Sequence, residues 1–240
     1  MFNVLPVFKN DIENTRYFIS GFHGMGSVGY IVIEHLIQEL KAKRVAIVKS
    51  NSINPFIMME NEEIAYPLEF YSKDDILFFL PRTSPRLYAV SSFTLQLIDW
   101  LFEQNIGKAY LIGGIDQTFQ IDKRSHIKYI PTQKFLKDED NQEYKENMLE
   151  SGLLIAGPLA MLLGYLDVMS FSALGILAYT ERDKLGFLGA SHVIKVLNRE
   201  LGLSCSVDRL NRLSTQTLDQ PLNYISSLDS NDQDRHSTYL

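Results

Sequence analysis

Cysteine is all but missing from this chain. Cys205 stands alone among 240 residues, so an internal disulfide is excluded and nothing points to an oxidising compartment. Basic charge is also short: 23 Lys and Arg face 29 Asp and Glu, a formal net charge of −6 that argues against nucleic acid or an anionic membrane as partner. Long hydrophobic runs are absent too. The most apolar stretch, 152–180, is interrupted by Gly157-Pro158 and by Asp167, leaving two runs shorter than the ~18 uncharged residues of a spanning helix. A buried helix followed by a buried strand is the expectation there. Residues Met1 to Pro6 lack the positive start and long apolar core of a signal peptide, so the expected location is cytoplasmic.

Catalytic signatures are wanting as well. HExxH, paired CxxC, GxSxG and GxxxxGK[ST] do not occur. His23, His35, His126, His192 and His236 are scattered, so no metal or cofactor is expected; His35 and His192 read as helix-surface residues and Cys205 as a small core residue.

The chain does have glycine at special places. Gly21, Gly24, Gly26 and Gly29 lie between a strand-like segment, Arg16 to Ser20, and an amphipathic helix, Ser27 to Leu40. The last three spell GxGxxG, the spacing of a phosphate-cradling turn. A dinucleotide fold also needs a carboxylate at the end of its second strand, and there the sequence reads Lys49-Ser50-Asn51, with Glu39 misplaced in the helix. The glycines therefore read first as a tight turn with close helix–strand packing, with a dinucleotide module as a competing reading.

Beyond that turn, strands are expected at 44–49 and 76–80, with an edge hairpin within 63–71. Phe93, Leu97, Trp100 and Leu101 mark a helix capped by Ser91 or Ser92, and a strand over 109–112 ends at Gly113-Gly114. The segment 116–147 reads as a polar excursion with short strands rather than core. Helices are expected at 159–166, opened by Pro158, at 190–201, ended by Gly202, and around Val207, Leu210 and Leu213; a buried strand is expected at 171–178. Alternating strands and helices imply an α/β fold with a mainly parallel sheet and helices on both faces. Residues 1–225 are expected to form a single domain. The following residues, 226–240, are nearly all polar up to Ser237, which predicts a flexible tail, yet the chain finishes Thr238-Tyr239-Leu240.

In such a sheet the loops leaving the carboxyl ends of the strands would gather His23, Arg82, Arg86, Asp116, Glu181, Arg182 and Asp183. A crevice around His23, Arg82 and Glu181 could serve acid–base or phosphate chemistry; a set of surface ion pairs is the competing account.

The pattern as a whole resembles the proteasome-assembling-chaperone family of archaea and eukaryotes. Gly21 to Gly29 matches its GFxGMGxVG turn, with His23 where proline is usual. Gly152 to Leu159 followed by Leu162-Leu163 is similar to its second glycine motif, Ala173 to Thr180 to its buried strand, and Ala190 to Leu203 to its last core helix. The likeness runs from Arg16 to Leu213; Tyr179 replaces a common acidic residue, and Asp183-Lys184 lacks the usual following proline. The resemblance implies a nucleoside-phosphorylase-like fold, no enzymatic activity or cofactor, and a homo-oligomeric scaffold of archaeal type. It also implies docking of a hydrophobic-Tyr-any tripeptide between α-subunits of the proteasome core particle, where Thr238 would hold the hydrophobic place and Tyr239 and Leu240 the other two. The alternative expectation is a small-molecule enzyme of nucleoside-phosphorylase type using the strand-end crevice.

Overall fold

A computed structural model describes residues 2–7, 10–60, 62–139 and 142–216. In chain order its elements are β1 (Phe2–Pro6), α1 (Asn10–Glu13), β2 (Tyr17–Gly21), α2 (Val28–Leu40), β3 (Lys43–Ser50), β4 (Met58–Glu60), β5 (Glu63–Ala65), β6 (Leu68–Lys73), β7 (Ile76–Pro81), α3 (Val90–Phe102) and β8 (Lys108–Asp116). There follow β9 (Ile127–Pro131), α4 (Gln133–Asp138), α5 (Gln142–Glu146), α6 (Pro158–Val168), β10 (Ala173–Thr180), α7 (Phe187–Leu201) and α8 (Asp208–Gln216).

Eight strands form one sheet in the order β1-β3-β6-β7-β2-β8-β10-β9. The central strands β7, β2, β8 and β10 are parallel to their neighbours in that set, while β1, β3, β6 and β9 join by antiparallel pairings. The expectation of a mainly parallel sheet is thus corrected to a mixed one. Asp74 and Asp75 turn β6 directly back on β7, and a connection that short forces antiparallel pairing.

Alternation along the strands builds two cores. Ile19, Phe78, Tyr110 and Ile176 point to a layer made with α2 and α7, and Phe18, Phe79, Leu111 and Ala173 to a layer made with α3 and α6. Helices accordingly cover both faces. α7 ends as its sequence predicts, with Gly202 left-handed at φ 65° and its N–H bonded to Asn198 O.

Several expectations are revised. The segment 116–147 is not an excursion: β9 pairs with β10, and Tyr129, Phe135 and Tyr144 are buried, the last ring meeting each of the others edge-on at 5.2 Å. Three aromatics spaced among charged residues leave the local composition polar while supplying much apolar surface. β8 runs through Gly113 and Gly114 to Asp116 because β10 holds it on one side from Ala109 to Asp116. The edge hairpin splits: β4 and β5 form a separate two-stranded sheet, and β6 is interior. Neither Ser91 nor Ser92 caps α3; a 3-10 turn at Leu87–Ala89 precedes it, and the Ser92 hydroxyl donates to Ala89 O. His35 is buried, its Nε2 2.7 Å from Ser206 O, where α8 closes over α2. Cys205 is buried and its thiol pushed up to about 11 by burial.

Candidate functional site

The chain leaves β2 through the glycine run, and three close approaches explain its composition. A Cβ on Gly21 would stand 2.5 Å from Gly29 Cα, and one on Gly29 2.6 Å from Ile112 O, so the start of α2 rests directly on the backbones of β2 and β8. Gly26 is left-handed at φ 59°, and its carbonyl accepts the Gly186 N–H at 2.7 Å. Ser27 follows at φ 49°, a conformation uncommon for a residue with a side chain. At Gly24 alone in this run a Cβ would meet nothing within 4 Å. The space of the other three missing side chains is occupied by the protein's own atoms.

Beside this turn, at the carboxyl ends of β2, β8 and β10, lies a cavity of about 340 Å³. His23, Asp116 and Arg182 supply its polar groups, and Phe22, Ile115, Phe119, Leu154 and Leu159 much of its apolar wall. Asp116 accepts from Arg182 Nε at 3.1 Å and Nη2 at 2.9 Å, and from Thr118 N at 2.9 Å. Those donors, the Thr118 N–H first, hold its carboxyl below the usual range. The α6 side of the cavity is set by Gly157, left-handed at φ 84°, and Pro158 at the first helical position.

The remaining strand-end residues lie elsewhere. Arg82 is buried and lines a second cavity of about 280 Å³ between α2 and the β4–β5 hairpin. It donates to Glu69 through Nε (3.2 Å) and Nη2 (3.0 Å), and its Nη2 is 2.6 Å from Glu60. Its Nη1 donates to Tyr30 Oη at 3.3 Å, and Tyr30 donates to Glu34 at 3.0 Å. Tyr30 also stacks on His23 with ring centres 4.3 Å apart, so His23 and Arg82 are connected through one tyrosine without sharing a cavity. Burial, with Glu34 beside it, pushes the Tyr30 hydroxyl far above its usual range. Glu181 pairs with Lys184 at 2.6 Å on the surface, Asp183 is exposed, and Arg86 reaches back to Asn54 and Tyr88. The proposed triad of His23, Arg82 and Glu181 therefore does not converge.

Sequence reasoning did not single out Phe119, Leu154 or the buried Glu69. Glu69 left no signal, because an acidic residue in a strand of mixed composition looks the same exposed or buried. Among the described residues no three His, Cys, Asp or Glu side chains are grouped as a metal ion would need. Among them, too, no helix is long and apolar enough to cross a membrane. Thr238, Tyr239 and Leu240, with the whole expected tail, lie outside the described residues.

Comparison with solved structures shows where this fold recurs. PbaA of Pyrococcus furiosus, an archaeal homolog of proteasome-assembly chaperone, superposes with a TM-score of 0.76 at 23% identity, over 90% of this chain and 92% of that one. PbaB of the same organism, an archaeal proteasome activator, gives 0.73 at 22% identity, over 90% and 95%. A proteasome-assembly chaperone homologue of Mycobacterium tuberculosis gives 0.61 at 11%, over 92% and 97%. No curated protein matches in sequence. The model of the PAC2 family, in contrast, matches residues 18–220, from the second residue of β2 past the end of α8, and the chain belongs to that family.

Proposed function

We propose that this protein is a non-enzymatic chaperone or adaptor of the proteasome core particle, working in the cytoplasm as a homo-oligomer of archaeal type. The single observation that carries this reading is the family match over 18–220 together with a fold shared, over nine-tenths of the chain, with an assembly-chaperone homolog and a proteasome activator. In this reading residues 1–225 act as one body of nucleoside-phosphorylase-like fold, and 226–240 form the tether. Tyr239 and Leu240 dock on core-particle α-subunits with Thr238 as a third contact. A tyrosine offers an apolar ring and a hydroxyl to pair, and several tails on one oligomer would raise avidity by about 10²–10⁴ over a single tail.

The glycine geometry supports a structural role for Gly21, Gly26 and Gly29, since a Cβ on each would meet protein atoms within 3 Å. The enzyme alternative has weaker support, because His23, Arg82 and Glu181 stand in three separate places.

Purified protein with and without residues 238–240 is to be compared by surface plasmon resonance on immobilised core particle. We expect the intact protein to bind and the truncated one to bind at least about tenfold more weakly. Equal affinities would remove the tail from the mechanism; no binding of either protein would remove the adaptor reading.

A further inference from the structure

We infer that the cavity between β2, β8 and β10 is a binding site for a small carboxylate with an aromatic or branched aliphatic body. The inference goes beyond the adaptor reading and does not depend on it.

Topology places the cavity first. The connection from β2 runs through α2 on one face toward β3, whereas that from β8 leads to β10 through α6 on the other face. Adjacent strands whose connections diverge leave a crevice at their carboxyl ends, the position at which open α/β sheets hold ligands.

Gly24 is the second observation. Its neighbours Gly21, Gly26 and Gly29 are each required by an atom within 3 Å, but a side chain at Gly24 would enter open space, and its φ of −154° is not left-handed. Neither packing nor turn geometry calls for glycine there. The missing side chain leaves the cavity open, and Gly24 lines it.

The lining then fixes the ligand's chemistry. Phe22, Ile115, Phe119 and Leu159 offer an apolar slot, with Leu154, 89% exposed, at its rim. At the polar end Asp116 is engaged by Thr118 N and by Nε and Nη2 of Arg182. A guanidinium has five N–H donors, so Arg182 retains some after serving Asp116, and its 68% exposed side chain stands where a ligand would enter. His23, whose ring stacks on Tyr30, lines the same cavity. A carboxylate matches that donor set. A phosphate dianion suits it less: Asp116 already neutralises Arg182, so a carboxylate brings one uncompensated charge to the apolar wall and the dianion brings two. About 340 Å³ is at the small end of ligand pockets, which suits one ring or a short branched chain of roughly 8–15 non-hydrogen atoms.

Isothermal titration calorimetry on the full chain tests this with phenylacetate and 4-methylpentanoate as probes, and phenylacetamide and phenyl phosphate as comparisons. We expect both carboxylates to bind with dissociation constants of about 1 mM or below, and both comparison molecules to bind about tenfold more weakly. Arg182→Gln should lower carboxylate affinity by about tenfold, and Gly24→Phe should abolish binding with an unchanged unfolding temperature. Should Gly24→Phe fail to fold, Gly24→Val and Arg182→Gln carry the test. Absence of carboxylate binding up to about 10 mM, equal binding of the amide, tighter binding of the phosphate, or full affinity in the soluble Gly24 variant would each overturn the assignment.

Discussion

At the scale of single residues, glycines with the same appearance in sequence have opposite sensitivities. Gly29→Ala drives a Cβ to 2.6 Å from Ile112 O and 2.8 Å from Gly21 Cα, both backbone atoms that cannot rotate away. Denaturation in urea should show a loss of about 3 kcal/mol or an insoluble protein, whereas Gly24→Ala should remain within about 0.5 kcal/mol of the parent. Parent-like stability of Gly29→Ala would refute the packing account. A second residue-scale effect concerns pH. His192 stacks on His126 with ring centres 4.2 Å apart, and its pKa is lowered to about 4, by burial first and then by the charges of His126 and Lys195. The unfolded chain takes up that proton near pH 6.5 and the folded chain only near 4, so stability is complete above about 6.5 and falls as pH drops through that window. His192→Phe keeps a ring in the stack, and its stability should fall less steeply between pH 6.5 and 4 than the parent's. Identical slopes would show that His192 does not contribute.

At the scale of elements, the β4–β5 hairpin is tied to the body by ion pairs as well as by the buried Ala65. Met59 and Ile64 form a cross-strand pair and are exposed, while Glu60 pairs with Arg82 and the largely exposed Glu63 with Arg44. Arg44 Nη1 also donates to Ile64 O at 2.6 Å. Both arginines converge on Glu69, which is 0% exposed and also accepts from Tyr66 N and Tyr71 Oη. Burial, reinforced by the Glu69 charge, pushes the Tyr71 hydroxyl up to about 12, so it remains a donor at every ordinary pH. Removing one member of such a set leaves buried charge uncompensated. Glu69→Ala should therefore cost about 3–5 kcal/mol in chemical denaturation, and proteolysis should open first at 51–65. A cost below about 1 kcal/mol would mean that water replaces the carboxylate without penalty.

At the scale of the whole molecule, the last buried core member among the described residues is Leu210 in α8. The truncation after Ser237 proposed above should accordingly leave the unfolding temperature unchanged while it weakens attachment to the core particle; a matching fall in both would point to misfolding instead. What the sequence determined by itself is the place of the strongly periodic elements. Apolar residues at helical spacing set α2, α3 and α7, apolar strand-length runs set β2, β7 and β10, and Gly202 ended α7, because periodicity and the freedom of glycine act over a few residues. The competing dinucleotide reading could also be weighed there, since the carboxylate such a fold requires is missing after β3. Tertiary structure alone decided which strands pair and in which direction, that Tyr129, Phe135 and Tyr144 lie inside, and that Arg82 joins Glu69 while Arg182 joins Asp116. These depend on partners 13 and 66 residues apart in the two ion pairs, and on which face of the sheet each loop reaches. Pairing, burial and charge compensation are properties of distance in space, which spacing along a chain does not encode until the layers close.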